Sequence, residues 1–224
     1  MSGAASTFPR LIVVADRDYV ADDERWLALI AEIAMHTASR PVAIQVRMKG
    51  ASRAKAGVLA AHVRQVIPRG VPLLLNGEAA LAARLGYSGV HWPEEDIPAA
   101  RPSYPLAFRS AAVHSVEAAR RAECAGADLA VFGAVYAPGS KPGTGAGAEA
   151  LSAVARATAL PVFAIGGIHP QHVAECLRAG AYGVAVVSGI LGAPDVRAAV
   201  DLYQEILAIH AVPAAYPVRE GGFR

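Results

Sequence analysis

The sequence is poor in cysteine, aromatic residues and charge. Of its 224 residues, two are cysteines, 6% are aromatic and 18% are charged, with a formal net charge of +2. No basic stretch is interleaved with aromatic residues, which argues against a nucleic-acid partner. Cys124 and Cys176 both fall in Ala-rich segments predicted to be helical, so we expect two reduced, buried thiols.

Long apolar runs are absent as well. Crossing a bilayer takes roughly 18 consecutive apolar residues, and the most apolar segment, 181–193, is interrupted by glycines. The N-terminal residues lack the basic head and long apolar centre of a signal peptide. We therefore expect a cytoplasmic protein with no membrane partner.

Short apolar runs alternate with amphipathic segments along the whole chain, in which 54% of the residues are hydrophobic. The runs are continuous and β-branched, as is typical of parallel strands covered on both faces. The predicted strands are 11–14, 42–48, 72–75, 89–92, 106–111, 129–135, 162–165 and 183–187. The predicted helices are 22–35, 53–67, 78–85, 116–125, 148–157, 170–179 and 194–210.

Alternating strands and helices with no linker between them predict an α/β fold, a single (β/α)8 TIM barrel over residues 1–211. An irregular tail is predicted at 212–224, and the fourth crossover is too short and proline-rich for more than a turn or two. The rival fold is a doubly wound open sheet.

The seventh and eighth predicted strands both end in small residues. Gly166 and Gly167 follow the seventh, and Val187, Ser188 and Gly189 end the eighth. These two loops commonly hold a phosphate in barrels of this kind, and glycine lets the backbone approach an anion closely. The alternative is that the glycines only permit tight turns. We interpret the pair as a phosphate site.

The same residues carry a resemblance to a known family. The segments "AIGGI" and "AGAYGVAVVSGI" resemble the thiamine phosphate synthase and TenI family of thiamine biosynthesis, and "IQVRMKG", "LLNG", "GVHWPEEDIP", "VHS" and "GADLAVFGAVYAPGSK" match it in order. The resemblance implies binding of a small phosphorylated thiazole.

Synthases of this family join an aminopyrimidine diphosphate to a thiazole phosphate and release pyrophosphate, with Mg²⁺ at the diphosphate. The resemblance implies that this chain retains one metal ligand, Asp96. It also implies that the chain retains several residues that contact the diphosphate, which are Gln45, Arg47, Lys49, Asn76, Ser140 and Lys141.

Three synthase positions are changed. Gly77 replaces the metal-binding aspartate that the synthases carry after strand three, Ala112 replaces a serine, and Pro138 replaces a threonine. Glu94 or Glu95 would have to supply the missing carboxylate. Mg²⁺ is thus expected only if synthase activity is retained, and otherwise no cofactor is expected.

The TenI branch resembles the chain at these places, with Asn76-Gly77 and "SGI" at 188–190. Its thiazole tautomerases shift a proton and need an acid or base rather than a metal. The histidine that the resemblance implies after the sixth strand is Ala134 here, so the candidates are His114, Tyr136, Lys141 and His91, which faces either the pocket or the helices.

We therefore predict a TenI-like protein, with a diverged thiamine phosphate synthase as the alternative. A non-catalytic thiazole phosphate-binding regulator and a different phosphate-using barrel isomerase are the further alternatives. We also expect a homodimer, to which the helices at 53–57 and 78–85 contribute.

Overall fold

Eight parallel strands close a barrel in the order of the chain. The structure, a computed structural model, describes residues 8–20, 22–137 and 145–210. The strands are β1 (Leu11–Asp16), β2 (Val42–Arg47), β3 (Leu73–Asn76), β4 (Gly89–Trp92), β5 (Phe108–Val113), β6 (Leu129–Gly133), β7 (Val162–Ile165) and β8 (Gly183–Val186). Because β1 pairs with both β2 and β8, the predicted (β/α)8 barrel is confirmed and the open sheet is excluded.

Helices follow the strands around the outside of the barrel. Those in the described residues are α1 (Arg17–Val20), α2 (Asp23–His36), α3 (Arg53–Val66), α4 (Ala79–Leu85), α5 (Val116–Cys124), α6 (Gly147–Ala157), α7 (Pro170–Arg178), α8 (Ser188–Leu191) and α9 (Val196–Ile209). The fourth crossover holds only a 3₁₀ turn, Glu94–Asp96, as predicted. The predicted tail at 212–224 lies outside the described residues.

Side-chain oxygens fix the start of several helices. Asp22, Ser52, Ser115 and Asp195 each accept a hydrogen bond from a backbone N–H of the first turn, in α2, α3, α5 and α9 respectively. Each such cap typically contributes about 1 kcal/mol. The helices therefore begin at defined residues, and this sets the length of the loops that enter them.

Two apolar cores lie on either side of the strands. The larger one fills the space between the strands and the helices. The smaller one fills the barrel interior, and Ile165 and Val187 pack against it. Its buried members are Phe8, Ile12, Val14, Ala43, Leu74, Phe108, Leu129, Val131, Phe163, Tyr182 and Ala185. Successive strand residues alternate between the two cores. Residues beyond this inner core on the same strand faces therefore line the carboxyl end of the barrel.

Both cysteines are free, as predicted, but only Cys176 is buried. The prediction of a buried Cys124 is wrong because the buried stripe of α5 runs through Ala118, Ala119 and Ala122, and Cys124 lies off it, exposed, at the end of the helix. Within residues 8–20, 22–137 and 145–210, every helix is too short or too polar to span a membrane.

Candidate active site

Polar side chains line the carboxyl ends of the first five strands. Each lies on the strand face that forms the inner core, because residues two apart in a strand point the same way. Asp16, for example, lies two residues after Val14, and Asn76 two residues after Leu74. We call this set the polar half of the mouth. Its members are Asp16, Gln45, Arg47, Asn76, His91 and Ser110.

Arg47 is held by a carboxylate from the neighbouring strand. Asp16 is its register partner across β1 and β2, and the two side chains form an ion pair. Oδ1 of Asp16 accepts the backbone N–H of Asp18 at 3.1 Å, and Asp18 in turn accepts the N–H of Gly50 at 2.9 Å. The first two loops are thus joined, and the Arg47 guanidinium is oriented before any ligand arrives.

His91 faces the barrel interior, which settles the choice that the sequence left open. Its Nδ1 lies 2.8 Å from Oγ of Ser110, and its side chain is buried. Burial, together with the positive charge of Arg47, lowers the pKa of His91 to about 3. The imidazole is therefore neutral near pH 7 and serves as a hydrogen-bonding group on the floor of the pocket.

Asn76 and Gln45 complete the polar half. Nε2 of Gln45 approaches Oδ1 of Asn76 at 3.4 Å, and the N–H of Gly77 donates to the carbonyl of His91 at 2.8 Å. A Cβ at Gly77 would meet no atom within 4 Å. There is room for a side chain here, but glycine supplies no carboxylate.

The acidic residues after β4 do not gather into a metal site. Asp96 is exposed on the 3₁₀ turn, as is Glu95. Glu94 accepts hydrogen bonds from the N–H and the imidazole of His114, at 2.7 and 2.6 Å, and lies 3.5 Å from Arg121. Across the described part of the chain, no three His, Cys, Asp or Glu side chains are grouped to hold a metal ion. Because β3 is followed by Gly77, it supplies no carboxylate that could join Asp96 in holding Mg²⁺ at a diphosphate.

Glycines form the opposite side of the mouth, at the ends of β6, β7 and β8. We call Gly133, Gly166, Gly167 and Gly189 the glycine half. Gly166 and Gly167 have φ angles of +94° and +62°. A Cβ would lie 2.5 Å from Cβ of Ala134 at Gly166 and 2.8 Å from the carbonyl of Ala137 at Gly167. Side chains are therefore excluded, and the backbone itself lines this side.

Backbone N–H groups are available in the glycine half. Within the described residues, those of Gly166 and Gly167 have no hydrogen-bond partner. Val187 is the N-cap of α8, so the N–H groups of Ser188 and Gly189 belong to the unpaired first turn of that helix. Donors without side chains in front of them suit an anion.

The family model described as thiamine monophosphate synthase matches residues 11–190. The chain belongs to this family. It is a family of enzymes of thiamine biosynthesis, to which the synthases and TenI proteins named above belong, and the resemblance read from the sequence is confirmed.

Relatives within the thiamine monophosphate synthase family are similar over much of their length. A thiamine-phosphate synthase of Roseiflexus sp. (strain RS-1) is 42% identical over 151 residues, 65% of this chain and 61% of that protein. That of Roseiflexus castenholzii is 38% identical over 196 residues, 85% of each. The solved thiamine phosphate pyrophosphorylase from Pyrococcus furiosus superposes with a TM-score of 0.71 at 27% identity, covering 89% of this chain and 96% of that one.

The other predicted residues of this thiamine monophosphate synthase family member belong to neither half, as far as the structure describes them. His114 is exposed and bound to Glu94, and Lys49 is exposed in the turn after β2. Tyr136 donates to Glu175 at 2.6 Å and stacks on His172, with ring centroids 4.2 Å apart. Ser140 and Lys141 lie outside the described residues.

The surroundings of Tyr136 do not favour an acid or base role. Burial, with the hydrogen bond to Glu175, raises the pKa of this phenol above its ordinary value. Its stacking partner His172 places Nδ1 2.9 Å from the carbonyl of Gly167. The stacked rings of Tyr136 and His172 therefore pack against the backbone of the glycine half at Gly167.

Sequence reasoning missed Asp16 and the His91–Ser110 pair. Asp16 lay beyond the predicted end of the first strand, although its register position opposite Arg47 would have indicated it once the strand was extended by two residues. The pairing of His91 with Ser110 had no local signal, because the residues are 19 positions apart.

Proposed function

We propose that this chain binds a phosphorylated thiazole, with the phosphate at the glycine half and the heterocycle against the polar half. We further propose TenI-like chemistry, the aromatisation of a thiazole carboxylate phosphate by a proton shift. One observation favours this branch above the others. The glycine half is intact, while Gly77 after β3 leaves Asp96 after β4 without the second family carboxylate for a metal diphosphate.

The phosphate contacts follow from the backbone. Gly166, Gly167 and Gly189 present N–H groups where a Cβ would collide with its surroundings, and Ser188 adds a hydroxyl donor beside Val187. Such donors bind negative charge without needing a metal ion. The family resemblance assigns Ser140 and Lys141 to the diphosphate of a synthase and not to this phosphate.

The proton carrier that we propose is Asp16. Among the inward-facing residues of the polar half that the structure describes, the ionisable groups are Asp16, Arg47 and His91. The lowered pKa of His91 makes it a weak base, and an arginine does not give up its proton near neutral pH. The carboxylate of Asp16 is the remaining base that could take a proton from one carbon of the substrate and return it to another. His114, Tyr136 and Lys141 remain as the earlier predicted candidates.

Thiamine phosphate synthase activity is the second candidate. It is favoured by the relatives, which are named as synthases at 38% and 42% identity. In that case Asp96, with Glu95, would have to hold Mg²⁺, which would neutralise the diphosphate. Gln45, Arg47, Lys49 and Asn76 would contact the same diphosphate.

One pair of assays separates the two activities. In the first, the protein is given the unaromatised thiazole carboxylate phosphate in the presence of EDTA. In the second, it is given aminopyrimidine diphosphate and hydroxyethylthiazole phosphate with and without Mg²⁺. We expect the aromatic thiazole in the first assay, and no Mg²⁺-dependent thiamine phosphate in the second. The opposite result would establish the synthase, and binding with neither product would identify a regulator.

Asp16→Asn tests the proton carrier. The amide keeps the shape of the side chain but cannot accept a proton, so we expect a loss of roughly 10²–10⁴-fold in kcat with ligand affinity retained. Asp201→Asn, on α9 where the carboxylate pairs with His36 and Arg40, is the control and should leave kcat within about threefold. Full tautomerase activity in Asp16→Asn would remove Asp16 from the mechanism.

We also propose a cytoplasmic homodimer. The dimer is supported by the outer face of α3, which exposes the apolar side chains of Val58 and Val66, at 57% and 46% of their surface. The cytoplasmic location is supported by the two cysteines, which are both free. If α3 lies in the interface, Val58→Glu will convert a dimer to a monomer in light scattering. A monomeric wild type would refute the homodimer.

A further inference from the structure

Tyr203 lies behind the glycine half, on α9. Its side chain is completely buried, and its hydroxyl donates to the carbonyl of Ile168 at 2.8 Å. Ile168 directly follows Gly166 and Gly167 in the loop after β7. Burial raises the pKa of Tyr203 to about 12, so the phenol keeps its proton and remains a donor.

The same hydroxyl also lies against α8. A Cβ built on Gly189 would come within 2.3 Å of Oη of Tyr203. Gly189 follows Ser188 in the first turn of this helix. One buried phenol therefore contacts both the loop after β7 and the first turn of α8, which follows β8.

Strand pairing does not hold these two loops together. The β7–β8 register runs from Phe163 opposite Gly183 to Ile165 opposite Ala185 and ends there. Beyond this point the two segments diverge, one into Gly166 and Gly167 and the other into α8. The contact through Tyr203 comes after the last strand pair, at the level of the glycine half.

We propose that Tyr203 is a positioning residue that sets the spacing between the two backbone segments of the glycine half. The inference rests on the proposed phosphate site. Tyr203 does not touch the ligand in this account. It acts by fixing the Ile168 carbonyl and by limiting the approach of Gly189, so that the N–H groups of both segments face one phosphate.

Tyr87 provides a matched control. It is also buried, at 3% exposure, and its hydroxyl donates to a backbone carbonyl, that of Ala60, at 2.9 Å. It follows α4 and contacts α3, so it joins two outer elements rather than the ends of β7 and β8. Tyr203→Phe and Tyr87→Phe therefore remove the same kind of hydrogen bond from two different places.

The experiment compares the wild type with these two variants in binding hydroxyethylthiazole phosphate and, as a second probe, inorganic phosphate. Both variants should lose a similar 2–4 °C or so in Tm, since each loses one buried hydrogen bond. Only Tyr203→Phe should raise the Kd for the thiazole phosphate, by about tenfold, which is the size expected for a disturbed anion contact. In turnover, the change should appear in KM and not in kcat.

A double variant tests the contact with Gly189. Gly189→Ala alone should lower Tm and weaken binding, because its methyl group meets the phenol oxygen. Combining it with Tyr203→Phe removes that oxygen, so the two losses should be less than additive. Fully additive losses would show that the contact does not couple the two residues, and would overturn the proposal.

The outcomes distinguish this inference from the proposed function. If the wild type binds the thiazole phosphate and Tyr203→Phe binds it as well as Tyr87→Phe does, the positioning role is wrong and the phosphate site stands. If the wild type binds neither probe, the phosphate site itself is wrong and the inference falls with it.

Discussion

The two halves of the barrel mouth are built in different ways. The polar half consists of side chains, an ion pair between Asp16 and Arg47 and a hydrogen bond between His91 and Ser110. The glycine half consists of backbone, with side chains excluded by contacts of 2.3–2.8 Å to any added Cβ. One half presents charges and polar groups, and the other presents N–H donors.

This difference indicates which half of the mouth is free to change. A side chain of the polar half can be exchanged while the strand below keeps its path, and Gly77 has empty space where a family aspartate would lie. Two of the three departures from the synthase pattern lie on the side of the polar half. Gly77 directly follows β3, and Ala112 lies on β5. In the glycine half, a substitution would move the backbone to which we assign the phosphate. We therefore propose that the polar half determines the reaction type and that the glycine half determines phosphate binding.

Gly166→Ala should have the largest effect. Alanine is strained at a φ of +94°, and its Cβ would lie 2.5 Å from Cβ of Ala134. Left-handed strain costs about 1–2 kcal/mol and an overpacked contact about 1–3 kcal/mol. We expect a loss of roughly 2–5 kcal/mol of unfolding free energy in urea denaturation, and a Kd for thiazole phosphate raised about 100-fold.

Gly77→Ala is the control for Gly166→Ala. Its φ of +98° is nearly the same, but an added Cβ meets nothing within 4 Å. It should lose only the strain term, about 1–2 kcal/mol, and should bind thiazole phosphate almost as the wild type does. Equal losses in the two variants would show that the close contact at Gly166 does not matter, and would contradict the comparison between the halves.

The fold could be predicted from the sequence, because buried parallel strands appear as continuous β-branched runs between amphipathic segments. All eight strands were found, and β4 and β7 have the predicted bounds. The four-residue helices α1 and α8 were missed because a single turn carries no periodicity. β5 begins at Phe108 rather than at the predicted 106, since Leu106 lies in the loop and its carbonyl accepts a hydrogen bond from Arg109.

The two halves differed in how well the sequence predicted them. The glycine half was indicated by the loop residues themselves. The polar half depends on which face of a four-residue strand points inward, and continuous apolar runs do not encode this for β4, where every residue is buried. The orientation of His91 therefore required the register of β4 against β5.

His91→Asn should have the next largest effect, on the pH dependence of stability. The folded state holds His91 neutral down to a pKa of about 3, whereas the unfolded chain binds a proton near the ordinary value of 6.5. The unfolded state thus binds more protons between these values, and stability is lost as the pH falls from 6.5 towards 3. From pH 7 to pH 5 this amounts to about 2 kcal/mol.

Urea unfolding at pH 7 and pH 5 provides the measurement for His91. Asparagine can still hydrogen-bond to Ser110 but does not titrate, so the variant should lose about 2 kcal/mol less than the wild type over this interval. The comparison is between the two pH values for each protein, so a difference in stability at pH 7 does not affect it. Parallel losses in both proteins would mean that His91 is not a buried neutral group.

Arg47→Met should have the smallest effect on thiazole phosphate and thereby tests whether the two halves bind separate groups. Arg47 lies in the polar half, and the phosphate is assigned to the glycine half, so we expect the Kd for hydroxyethylthiazole phosphate to change by no more than about threefold, or about 0.7 kcal/mol. Aminopyrimidine diphosphate, if it binds at all, should lose roughly tenfold or more with the loss of a charge-assisted contact. Because the substitution leaves Asp16 without its ion-pair partner, the double variant Asp16→Asn/Arg47→Met is the control for that unpaired carboxylate. A large loss of thiazole phosphate affinity in both variants would place the phosphate beside Arg47 and reverse the roles of the two halves.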